Sequence, residues 1–145
     1  MQSAERRISV LVVDDHPMLR EGVAAVLQLQ DDMLLVGEAE DGAAAVALYR
    51  QLKPDIVLMD LQMPRMGGVE ASRAIRDLER GGRRTGRTPI LAVTANVMSY
   101  QLSDYAEAGM DGVVAKPLQM EVLLSEMQRV LAGPASVEAG HALAV

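Results

Sequence analysis

Four apolar runs in this 145-residue chain each stop at a side chain able to do chemistry. Ile8 to Val13 stops at Asp14 and Asp15, Ile56 to Met59 at Asp60, Ile90 to Val93 at Thr94, and Val113 to Ala115 at Lys116. Runs this short, the second framed by Pro54 and Pro64, read as buried strands whose end residues sit on the rim of a sheet. Ligands of an open parallel α/β sheet bind outside the carboxyl ends of its strands, where the strand order reverses. In the order 2-1-3-4-5 that rule sets Asp14 and Asp15 beside Asp60, with Thr94 and Lys116 following outward. Two like charges about 5 Å apart at an effective dielectric near 20 repel by roughly 3 kcal/mol, so three carboxylates there call for a cation. Mg2+ suits the donor set, since it prefers oxygen and takes one or two carboxylates together with phosphate oxygens. His16, next to the acidic pair, reads as an exposed loop residue rather than a ligand or phosphate acceptor, because hard-metal sites favour oxygen.

The elements that must position these groups alternate in type. After the first strand, Pro17 opens a helix to about Gln30, with Leu19, Val23, Val26 and Gln30 on one face. A second strand, Leu34 to Ala39, reads as an edge. Asp41 is placed to cap a helix over Gly42 to Leu52, with Ala44, Leu48 and Leu52 as its buried stripe. The loop Leu61 to Gly67 follows strand three, and a helix from Val69 to Arg80 buries Ala71, Ile75 and Leu78. Gly81 to Thr88 is arginine-rich and forms, with Arg76 and Arg80, a basic patch: a solvated loop, or on a sharper reading a surface for docking a partner. A helix over Met98 to Ala108 is closed by Gly109 in a left-handed cap. The last helix, Gln119 to Ala132, repeats Met120, Leu123, Met127 and Val130 at helical spacing. These units predict an α/β fold: a doubly wound, five-stranded parallel sheet with five flanking helices. Residues 1–132 form one domain, and 133–145 a flexible tail in which His141 carries no case.

Composition narrows the function. Half of the residues are hydrophobic, enough for one core, and the net charge is −6. An acidic chain argues against direct binding of nucleic acid by phosphate neutralisation and for protein partners. With no cysteine there is no disulfide or thiolate chemistry, which fits the cytoplasm. No apolar run is long enough to cross a membrane. The core has no Phe or Trp and draws on ten Met, which repack readily.

The blocks VLVVDDH, IVLMDLQMPRMGG, AVTAN and GMDGVVAKP resemble, in order and spacing, the signature blocks of response-regulator receiver domains of two-component signalling. The resemblance covers Ile8 to Ala132 and is closest to receivers of hybrid histidine kinases, although DDHPMLREG resembles those of DNA-binding regulators. It implies a flavodoxin-like fold and a phosphoacceptor role. Asp60 would accept a phosphoryl group from a phosphohistidine on a histidine kinase or histidine phosphotransfer protein, and the change would switch protein–protein interactions. The resemblance makes Asp15, Asp60 and the backbone carbonyl of Gln62 ligands of Mg2+, with Asp14 acting mainly through a metal-bound water. Lys116 and the Thr94 hydroxyl would each reach a phosphoryl oxygen. It also implies a cis bond at Lys116-Pro117. By the same resemblance, Gln62 and Asn96 occupy positions that in this family tune the lifetime of the phosphorylated state.

One departure concerns strand five, where receivers carry Tyr or Phe three positions before the lysine and this chain has Val113. In place of an aromatic switch, Thr94 is expected to move on phosphorylation and the fourth helix, with Tyr100 and Tyr105, to respond. Because the chain stops soon after its fifth helix, no DNA-binding output domain is expected. Two other classes compete. A Mg2+-dependent phosphohydrolase using an aspartyl phosphate would carry DxD on its first strand and a cap domain. A phosphorylation-independent docking module would lack an essential site residue.

Overall fold

The computed structural model describes residues 7–63, 65–81, 87–95 and 102–132, with the side chains of 102–104 excepted. Its elements run β1 (Ile8–Val13), α1 (Pro17–Gln28), β2 (Met33–Ala39), α2 (Gly42–Leu52), β3 (Ile56–Asp60), α3 (Gly68–Arg80), β4 (Ile90–Thr94), α4 (Leu102–Glu107), β5 (Gly112–Ala115) and α5 (Met120–Leu131). All strand pairs are parallel, in the order β2-β1-β3-β4-β5.

Strand periodicity divides the core in two. Leu11, Val13, Val57, Met59, Ile90 and Ala92 meet Ala45 and Tyr49 of α2, Ala71 and Ile75 of α3, and Tyr105 of α4. Their alternates Val10, Val12, Ile56, Leu58 and Leu91 meet Val23 and Leu27 of α1 and Leu123, Met127 and Val130 of α5. Because helices cover both faces, β3 and β4 are buried at every residue, which explains why they read as unbroken apolar runs.

Several helix faces differ from the sequence reading. On α2 the buried residues are Gly42, Ala45 and Tyr49, while Ala44 and Leu48 are half-buried beside them. Tyr49 can be buried because its hydroxyl donates to Glu79 Oε2 at 3.0 Å. On α1 Leu27 joins Val23 in the buried stripe and the helix ends at Gln28; on α5 Met120 is exposed. Arg76, assigned above to a basic surface patch, points inward with 6% of its side chain exposed. Residues 82–86 of that patch lie outside the described residues, as do Pro64, the start of the fourth helix with Asn96, Met98 and Tyr100, and the tail with His141.

Arg76 holds the amino ends of β4 and β5 to α3. Its guanidinium donates to the Thr88 carbonyl at 2.8 Å, to the Gly109 carbonyl at 2.7 and 2.9 Å, to Glu79 at 2.8 Å and to Asp111 at 2.9 Å. Glu79 in turn accepts from the Thr88 amide and Asp111 from the Ile90 amide. Gly109 closes α4 at φ +94°, and a Cβ there would stand 2.6 Å from Arg76 Cγ. Removing one member of a buried ion-paired network leaves the other charges uncompensated, at a cost of 3–5 kcal/mol in typical cases. Arg76→Leu is therefore expected to lower the unfolding free energy by about 3 kcal/mol, measured as a shift of the urea midpoint at unchanged slope.

Candidate functional site

The strand register delivers the site. Val13 pairs with Met59 and Asp60 with Val93, so Asp14 and Asp60 follow from adjacent strands at the same level. Thr94 pairs with Ala115, and the Lys116 amide donates to the Thr94 carbonyl at 2.8 Å. Asp14, Asp60 and Thr94 are almost wholly buried. Lys116 stretches across the cleft, its Nζ 3.2 Å from Asp14 Oδ2 and 3.4 Å from Asp60 Oδ1. The Lys116-Pro117 bond is cis. One ligand atom each from Asp14, Asp15, His16 and Asp60 lies within 4.8 Å of the others.

The loop after β3 is fixed from below and from the side. Gly68 presses on the strand end, where a Cβ would fall 2.3 Å from the Asp60 carbonyl oxygen, and its amide donates to the Leu61 carbonyl. Asp41 caps α2 through the Ala44 amide at 2.8 Å, as its position before Gly42 predicts. The same carboxylate accepts from Arg65 at 2.7 and 2.8 Å, a tie from α2 to the loop that the sequence reading missed. The capping amide and then Arg65 hold the Asp41 carboxyl below its usual range. Arg20, also missed, donates to the Asp14 carbonyl and pairs with Glu38. Only an alignment of loops in space shows either contact.

Charge is unbalanced in the cleft. Burial, and then the neighbouring Asp14 carboxylate, push the Asp60 pKa up, against the pull of Lys116. Burial alone would lower the Lys116 pKa, but the Asp14 hydrogen bond and the charges of Asp60 and Asp14 outweigh it and raise it. Asp60 Oδ1 has Lys116 and, at 3.4 Å, the Gln62 amide. Its Oδ2 is buried without a hydrogen-bond partner among the described residues. An orphaned, buried carboxylate oxygen inside a cluster of oxygen donors fits a bound cation. His16 is exposed as expected, yet its ring is turned onto Asp14 and Asp15. Val113 is half-buried against the core face that holds Tyr105.

An open doubly wound sheet whose carboxyl edge gathers acids, a hydroxyl and an ammonium over the switch point defines a small-ligand-binding α/β protein of the phosphoacceptor kind. A family model described as "Response regulator receiver domain" matches residues 10–128, and the chain belongs to that family. It is a receiver domain of two-component signalling. It is 36% identical over 124 residues to the transcriptional regulatory protein YdfI of Bacillus subtilis, covering 86% of this chain and 55% of that protein. Among solved structures, the receiver domain of the response regulator NarL from Mycobacterium tuberculosis superposes with a TM-score of 0.79 at 31% identity, covering 89% of this chain and 99% of the other. The receiver domain of sensor histidine kinase PA1611 from Pseudomonas aeruginosa, with magnesium in its active-site cleft, gives 0.75 at 30% identity, covering 88% and 99%.

The chain spans little more than half the length of the curated relatives it matches. Those relatives correct one expectation. Direct contact with nucleic acid was excluded from the acidic charge and from where the chain stops, yet the matched proteins include transcriptional regulators. The charge of a receiver does not report what the rest of a regulator binds, and a chain end carries no information about it. The similar proteins thus include both a sensor histidine kinase and transcriptional regulatory proteins. No described helix is long and apolar enough to cross a membrane.

The raised Asp60 pKa has a consequence for stability. A carboxyl whose folded pKa exceeds its unfolded value contributes stability that is complete below the unfolded pKa and lost as pH rises through the folded one. Without divalent cations, Asp60→Asn is expected to raise the unfolding free energy at pH 7. The gain should shrink toward zero as pH falls into the ordinary carboxylate range, as followed by chemical denaturation with EDTA present.

Proposed function

We propose that Asp60 is the phosphoacceptor, its carboxylate attacking the phosphorus of a phosphohistidine on a partner histidine kinase or histidine phosphotransfer protein. The observation that carries the reading is the divided environment of the Asp60 carboxylate. One oxygen is held by Lys116 and the Gln62 amide, and the other is buried with no hydrogen-bond partner among the described residues, so the carboxylate keeps coordinating capacity for an incoming group. As the new O–P bond forms the donor's N–P bond breaks, and the imidazole leaves with its electron pair and takes up a proton. Lys116 is in reach of the incoming group and keeps its proton, since its pKa is raised, so it offers a permanent ammonium to a phosphoryl oxygen. The Thr94 hydroxyl, at the end of β4, serves a second oxygen.

Asp15, Asp60 and the Gln62 carbonyl would hold Mg2+, with Asp14 supporting them. When bound, the ion neutralises charge on the transferring group. The cluster of carboxylate donors supports this, as does the magnesium in the PA1611 receiver. The domain is taken as residues 1–132 with a C-terminal tail over 133–145, working in the cytoplasm. It assists its own phosphorylation and dephosphorylation rather than turning over a substrate. Phosphorylation adds charge and acceptor oxygens at the cleft, and Thr94 with α4 carries the change to a protein target.

Incubation with acetyl phosphate and Mg2+ should place a single phosphoryl group on the chain, located at Asp60 by mass after borohydride trapping. Asp60→Asn should abolish it. Repeated turnover of a generic phosphatase substrate, or labelling that survives in Asp60→Asn, would contradict the reading.

A further inference from the structure

The phosphoacceptor reading leaves His16 unused. Its ring is 65% exposed, yet Nδ1 lies 2.8 Å from Asp14 Oδ1 and 3.1 Å from Asp15 Oδ1. His16 is the N-cap of α1, but its side chain makes no capping hydrogen bond, so helix initiation does not account for where the ring sits. Its backbone amide donates to Asp14 Oδ1 at 2.8 Å, which brings the residue over the acidic pair. Around a dication with ligands at about 2.1 Å, neighbouring ligand atoms in an octahedron stand about 3.0 Å apart and opposite ones about 4.2 Å. The two His16 distances match an octahedral edge. The whole group, within 4.8 Å, exceeds the diagonal by about half an ångström. Independently of this clustering, Asp60 is 2% exposed with an unpaired Oδ2 in the same group.

We propose that His16 is a metal ligand through Nδ1, and that it lets this cleft take a borderline transition-metal dication such as Mn2+, Co2+ or Ni2+ as well as Mg2+. The inference rests on the reading of the cleft as a cation site and deepens it by naming a residue that sets metal preference. Without an ion, Nδ1–H donates to the Asp14 carboxylate; the other neutral tautomer, with its proton on the exposed Nε2, presents the Nδ1 lone pair to a metal instead. Magnesium gains little from a nitrogen donor, whereas affinity of nitrogen and oxygen sites rises from Mn2+ through Co2+ to Ni2+. The three carboxylates supply the charge, and His16 supplies the discrimination.

The test is calorimetric titration of the full chain with Mg2+ and with Ni2+, in a His141→Ala background that removes the only other histidine. His16→Asn is the informative variant, because its amide can still donate to Asp14 but offers no imidazole. Ni2+ affinity is expected to fall about tenfold or more while Mg2+ affinity stays within about twofold. In the His16-containing protein, Co2+ should show an absorption spectrum that His16→Asn changes. Parallel loss of both affinities would mean that His16 only orients the carboxylates, and no change in either would mean that it is a bystander; both overturn the inference. If the chain with His16 intact binds no Mg2+, the cation-site reading itself fails. If it binds Mg2+ with a Ni2+ to Mg2+ ratio that ignores His16, only the inference here does.

Discussion

The structure is organised around an electrostatic debt: Asp14 and Asp60 are buried side by side, Asp15 is close by, and one ammonium, Lys116, spans the gap. Such crowding is unfavourable in the bare protein, and burial pushing up the Asp60 pKa expresses it directly. The same imbalance makes the cleft receptive. On the proposed function a dication would relieve it, and a phosphoryl group arriving on Asp60 would find positive charge already aligned, with little reorganisation left for the transfer step.

What holds these charges together is backbone, not side-chain packing. Asp14, Asp60, Thr94 and Lys116 each sit at or just past the end of a strand, and parallel registry fixes their relative heights. A sheet buried on both faces cannot slip by one residue without turning an entire apolar set to the wrong side. Gly68 under Asp60 and the Asp41–Arg65 pair beside it then determine how the β3–α3 loop leaves the site. At the opposite edge, Arg76 ties down the amino ends of β4 and β5. The rim that performs chemistry therefore rests on a frame anchored at both ends.

Much of this was legible in the sequence. Apolar runs buried on both faces announce themselves by the absence of alternation, and the residue that ends each run is readable because strand ends share one rim. Faces of helices were harder. The α2 stripe is turned by one position from Ala44 and Leu48 to Ala45 and Tyr49, because the Tyr49 hydroxyl finds Glu79, thirty residues on. Arg76 was misread for the same reason: an arginine on a helix defaults to solvent unless its partners are known, and its partners come from α3, from just before β4 and from between α4 and β5. His16 was set aside on donor chemistry alone, which holds for magnesium but says nothing about where a ring settles. The exclusion of nucleic acid failed because charge and chain length describe the domain in hand and not the longer proteins it resembles.

The central claim is that the native cleft needs a divalent cation, and equilibrium unfolding at a series of free Mg2+ concentrations tests it most directly. If the folded cleft holds one ion that the unfolded chain does not, the unfolding free energy should climb by about 1.4 kcal/mol for each tenfold rise in Mg2+ above the dissociation constant. A stability that stays flat from micromolar to tens of millimolar Mg2+, at constant ionic strength, would contradict the account.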